Sequence, residues 1–101
     1  MDVICINGTF QQEQLDFYKK HGVLTPIKDK LYTIRRKVLN RGKLGVYLEE
    51  LVNPEIPIQS IISSNGVKFM EPNWNIDRCR TLQGEVITEE MLENITVDLE
   101  Q

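Results

Sequence analysis

The sequence predicts a small α+β domain: a strongly bent antiparallel sheet or half-open β-barrel of the Src-homology-three kind, with one helix towards the N-terminus and a short C-terminal helix. Three observations lead there. Apolar and polar residues alternate through positions 30–39 and again through 44–52, on either side of the turn-forming Asn40-Arg41-Gly42-Lys43. A second pair of apolar runs, 58–63 and 67–70, flanks Ser64-Asn65-Gly66, and Asn-Gly favours a hairpin because both residues tolerate positive φ. Only the stretch around residues 10–20 carries an amphipathic helical pattern of useful length. So few strands limit their exposed edges best by curling, hence the barrel-like expectation.

The elements follow in order along a chain of 101 residues, the size of one domain. Residues 1–8 hold a strand, Val3-Ile4-Cys5-Ile6, ended by Asn7-Gly8. Residues 9–22 hold the helix: Thr9 and Gln12 have capping-box spacing, Lys19-Lys20-His21 suit the negative end, and Gly22 supplies the left-handed residue beyond it. Residues 30–70 form two β-hairpins, and 71–82 form a turn segment with a short helical turn near Asn75–Cys79. Thr88 is the expected cap of a short helix over 88–95, with Met91, Leu92 and Ile95 on its apolar side, and 96–101 is expected to be a frayed tail.

Strand parity places Tyr32, Ile34 and Val38 on one face, with Leu31, Thr33, Arg35 and Lys37 on the other. In the next strand Leu44, Val46 and Leu48 share a face, opposite Tyr47, Glu49 and Leu51. Glu50 has the parity of Val46 and Leu48, and Arg36 matches it on the preceding strand. A cross-strand Arg36–Glu50 contact is therefore expected, worth up to about 1 kcal/mol.

Charge is unevenly distributed. Residues 19–43 carry nine bases against one acid, whereas 44–101 carry three bases against eleven acids. Either the halves neutralise each other or one presents an interaction surface. No stretch approaches the roughly 18 apolar residues of a membrane helix, and a cytoplasmic location is expected. In a reducing compartment Cys5 and Cys79 read as small buried hydrophobes, with a disulfide as the lesser alternative.

The single histidine, His21, lies at the helix end, where it complements the dipole and has no nucleophile and acid at catalytic spacing. Cys5, His21 and Cys79 lack the spacing of a zinc site, and no cofactor or metal is expected. Glu49 and Glu50 point to opposite faces of a strand and cannot form an acid–base pair. No catalytic residue emerges. Asp77 and Arg78 read as local structural anchors. Arg35, Lys37, Arg41 and Lys43, with Tyr32 available for stacking, are the candidate nucleic-acid-binding set, set against a pI of about 5.1. Trp74, between Asn73 and Asn75, is either the anchor of a protein interface or a cover for the open end of the barrel.

Lys30-Leu31-Tyr32-Thr33-Ile34-Arg35, Gly45-Val46-Tyr47-Leu48-Glu49-Glu50-Leu51 and Asp77-Arg78-Cys79 together carry a resemblance. Over about residues 28–82 the chain resembles a group of short uncharacterised bacteriophage and prophage proteins, including those of gut Bacteroides. Their pattern is a K-x-Y-T-V strand, a G-x-x-L-E-E-I strand and a D-R-F-x-P-L segment. Cys79 here replaces the phenylalanine and Thr81 the proline. The resemblance implies a phage or prophage origin and a small β-rich fold, and it brings no catalytic residue. The expected role is a non-catalytic accessory domain that binds a protein partner or itself. The alternative is a weak nucleic-acid binder using the basic hairpin. Neither a membrane partner nor a small-molecule substrate is indicated.

Overall fold

The computed structural model describes residues 1–40, 42–58 and 68–98. Its spine is β2, Leu31–Asn40, an extended run in which Tyr32, Thr33, Ile34 and Val38 favour the strand. One edge of β2 pairs antiparallel with β3, Lys43–Leu48, through a two-residue connection in which Gly42 adopts φ +78°. The other edge is shared. β1, Asp2–Cys5, runs antiparallel to Leu31–Thr33, and β8, Thr96–Asp98, runs parallel to Arg36–Val38. Beyond β3 lies β6, Trp74–Asn75, and beyond β1 lies β7, Cys79–Thr81. β4, Ile56–Ile58, and β5, Lys68–Met70, pair as a separate antiparallel ribbon whose expected Asn65-Gly66 turn lies outside the described residues.

The domain is thus α+β with a mostly antiparallel sheet. It is not closed into a barrel: the order β6-β3-β2-β1-β7 is an open path. Its outermost strands are only two and three residues long, too short to meet and seal a cylinder. The C-terminal helix is also corrected. A single 3-10 turn covers Glu90–Leu92, and the expected frayed tail instead contributes β8, up to Asp98. Eight residues are too few to sustain a helix on propensity alone, whereas Thr96 and Val97 suit the unpaired edge at Arg36–Val38.

The one α-helix among the described residues, α1, spans Gln12–Lys20. Its N-cap is Gln11, whose amide donates to Gln14 Oε1 at 3.4 Å, and not Thr9. Thr9 is held one turn earlier by Asn7 Oδ1, at 2.9 Å from its amide. At the far end the His21 amide donates to the Phe17 and Tyr18 carbonyls, and Gly22 takes φ +72°. No α1 residue is fully buried. The helix is attached through Tyr18, whose ring packs against Phe10 and Trp74 at centroid separations of 5.8 and 5.7 Å.

The pairing of β2 with β3 slips at one point. Ile34 opposes Leu48 and Arg36 opposes Tyr47, so two steps along β2 match one along β3 and Arg35 is the extra residue of a β-bulge. Before the bulge, Tyr32 and Ile34 face the core. After it parity inverts: Lys37 pairs with the core residue Val46, and Val38 pairs with Gly45 on the Tyr47 face. The expectation that Val38 shares a face with Ile34 is therefore corrected. Val38 is buried on the other side, beneath Asn73, whose Oδ1 lies 2.1 Å from where a Gly45 Cβ would stand. Only glycine fits there.

Candidate functional site

The bulge decides what the basic hairpin can do. Both Arg35 and Arg36 extend over the buried Tyr47 ring, with guanidinium carbons 5.2 and 4.8 Å from its centroid. Both also meet Glu71. Arg35 Nη2 is ion-paired with Glu71 Oε2, and Arg36 Nη2 lies 3.8 Å from Oε1. Arg35 Nε donates to the Leu48 carbonyl at 3.2 Å, and the Asn53 amide donates to Glu71 Oε2 at 3.0 Å. Asn53, itself buried, clasps the Leu24 backbone: Leu24 N–H donates to its Oδ1 at 2.8 Å and its Nδ2 donates to the Leu24 carbonyl at 2.9 Å. One carboxylate thus organises two arginines and the start of the β3–β4 connection.

The expected Arg36–Glu50 pair is corrected by the same geometry. Glu50 lies in the turn after β3 and accepts the Thr33 amide at 2.7 Å. Burial alone would raise its carboxyl pKa, but hydrogen bonds from the Thr33 amide, its own backbone and the Thr33 side chain outweigh it and hold the pKa low.

The remaining members of the nucleic-acid set do not converge. Lys37 is on the opposite face from the two arginines, its Nζ donating 2.7 Å to the carbonyl of the buried Leu92. Lys43 is exposed at the hairpin end, and Arg41 lies outside the described residues. Tyr32 is 1% exposed, and its hydroxyl accepts the Ile27 amide at 2.9 Å. Burial pushes its phenol pKa up. It offers no surface for a base to stack on, which corrects that assignment.

Trp74 is likewise corrected as an interface anchor. It is 2% exposed, with Phe10 and Tyr18 edge-on at 5.7 Å. Its role is to seat α1 on the sheet. Arg78 lies over the Phe10 ring, 3.9 Å from the centroid, and donates to the Asn7 and Thr9 carbonyls at 3.1 and 2.8 Å, fixing the loop before α1. Asp77 contributes through its backbone: its amide donates to Asn75 Oδ1 at 2.9 Å and its carbonyl accepts from Arg80 Nη1 at 2.9 Å. The His21 ring lies 4.6 Å from that of Phe17. Among the described residues no group of three His, Cys, Asp or Glu side chains could hold a metal, and no helix is long and apolar enough to cross a membrane.

What the fold does assemble is an open sheet face. Leu31 of β2 pairs with Ile4 of β1, Ile4 with Arg80 of β7, and Arg80 with Val86 beyond it. Paired residues project to the same side, so these four form one row across the sheet. Leu31 and Val86 are 59% and 60% exposed. The adjoining row contains Thr33 and Asp2, joined by a 3.2 Å hydrogen bond from Thr33 Oγ1 to Asp2 Oδ1. The reverse side of the same strands carries Val3, Cys5, Tyr32, Cys79 and Thr81, all buried. The strands are amphipathic, but the open side is partly apolar too. Sequence parity had set Leu31 on the face opposite Tyr32 and Ile34; the partners Ile4, Arg80 and Val86 depend on registers spanning most of the chain.

Compared with protein-family models, with curated proteins and with solved structures, the chain matches none.

Proposed function

We propose that this protein is a non-catalytic interaction domain whose open β1–β2–β7 face contacts a second copy of the chain. The observation that carries the reading is the row Leu31–Ile4–Arg80–Val86, in which apolar side chains flank one cation and lie beside Asp2. A face bearing both signs around apolar residues can complement itself, as a two-fold contact requires. Three short strands about 4.8 Å apart present far less than the roughly 800 Å² per partner of a standard stable interface. The contact is therefore transient. The phage or prophage accessory setting, in the host cytoplasm, is attached to this reading by the sequence resemblance.

A concentration series followed by amide chemical shifts and sedimentation tests it. The expected result is a rising average mass with shifts confined to β1, Leu31–Thr33 and the β7–Val86 segment, lost in Leu31→Lys. A protein that stays monomeric with unchanged shifts, or a variant that associates as well as the parent, overturns it.

A further inference from the structure

We propose that Cys5 and Cys79 form a reversible dithiol–disulfide pair, a redox-modification site that ties β7 covalently to β1. This inference is independent of the self-contact reading. Cys5 is the direct cross-strand partner of Cys79 in an antiparallel pair. The hydrogen bonds show which type of rung they occupy. The Cys5 amide donates to the Lys30 carbonyl at 3.0 Å, and the Cys5 carbonyl accepts the Asp29 amide at 2.7 Å. Both backbone groups of Cys5 therefore face the segment that leads into β2, on the side away from β7. On the β7 side, the next rung is bonded instead, with the Ile6 amide donating to the Arg78 carbonyl at 2.8 Å.

Cys5–Cys79 is thus a non-hydrogen-bonded rung, the narrow type, with Cα atoms about 4.5 Å apart and side chains on the same side. Disulfides span Cα separations of about 4.4–6.8 Å, so this rung can close without moving either strand.

The oxidant is a small-molecule disulfide of the glutathione class. One cysteine thiolate attacks its S–S bond, forming a mixed disulfide and releasing one small thiol. The other cysteine, having lost its proton, attacks the protein sulfur of that mixed disulfide and expels the second small thiol. The protein loses two protons and two electrons, and the small disulfide is reduced to two thiols.

Access is gated. The two cysteines are 0% and 1% exposed, and burial pushes the Cys79 pKa up to about 11 and raises that of Cys5. Reaction at neutral pH requires β7 to lift. β7 is placed to lift: it is a three-residue strand at the end of the sheet order, and beyond β1 its backbone bonds run to the adjoining 84–86 turn, through the Arg80–Val86 bridge and the Thr81–Glu85 hydrogen bonds, which can move with it.

The test incubates the folded protein with oxidised glutathione, blocks remaining thiols and maps the peptides without reductant. The expected product is a Cys5 peptide linked to a Cys79 peptide, in a protein lighter by two hydrogen atoms and restored by dithiothreitol. Its formation accelerates in low urea, which opens the edge strand, and its amide fingerprint outside the rung stays native. In Cys79→Ser the glutathione remains on Cys5. Glutathione adducts on both cysteines of the parent, bridged dimers, thiols unreacted even in moderate urea, or a bridged form with a collapsed fingerprint each overturn the proposal.

Discussion

The two halves of β2 solve the same problem in opposite ways. Up to Ile34 the strand buries Tyr32 and Ile34 on one side and leaves Leu31 open on the other. Past the bulge the sides exchange: Val38 is buried where Leu31 was bare, and Lys37 occupies the side that had been core. The first half is held by apolar contact with β1, β7 and the residues behind them. The second is held by a polar clamp, two arginines converging on Glu71 across Tyr47. A single extra residue separates a half whose outer side is open and partly apolar from one spent on internal contacts.

Four measurements would break or sharpen that contrast. The largest effect is expected from Trp74→Ala, which removes the ring joining α1 to the sheet. Urea unfolding should show a loss of about 3–5 kcal/mol. A loss under 1 kcal/mol would mean the aromatic cluster is not part of the cooperative core.

Next comes alkaline pH, which probes the dry side of the first half. The Cys79 thiol has a folded pKa of about 11 against an ordinary value of 9.0. The folded state holds its proton while the unfolded state releases it, so stability is intact below pH 9 and declines as pH rises towards 11. The decline should be about 2 kcal/mol, with Cys5 adding in the same direction. Cys79→Ala should flatten it; an equally steep decline in that variant would locate the titration elsewhere.

Glu71→Ala tests the second half. It leaves Arg35 and the Asn53 amide without their shared acceptor and should cost about 1–3 kcal/mol, while Cys79-side amides keep their exchange protection. Equal loosening of β1 and β7 would show that the halves are not separate. The smallest stability change, within about 0.5 kcal/mol, is expected from Leu31→Lys, because the side chain is already solvated. A large loss there would show that the open face is part of the core.

The first half of β2 was largely legible from alternation alone, since Tyr32 and Ile34 differ in polarity and burial from Thr33 and lie opposite Leu31 in parity. Gly22 and Gly42 were legible as well, for they hold the positive φ angles that their contexts call for. The bulge was not. Arg35 carries no mark of being an inserted residue, and the slip is visible only against β3. Everything that depends on it was therefore misplaced, including the side of Val38 and the partner of Arg36. Glu71 was hidden for another reason: it is 36 positions from Arg35, and no local rule pairs residues that far apart. Trp74 and Tyr32 were considered as surface groups because aromatic residues serve cores and interfaces equally well. Only the three-ring packing with Phe10 and Tyr18 separates those roles for Trp74.

The parallel seam between Arg36–Val38 and Thr96–Asp98 has a bearing on synthesis. As the nascent polypeptide emerges, β2 and β3 can zip together at once, yet one flank of β2 must wait some sixty positions for its mate. Such distant pairings raise contact order and slow the approach to the native state. During that delay a bare β-edge is exposed to stray strands, the hazard that β8 removes when it docks.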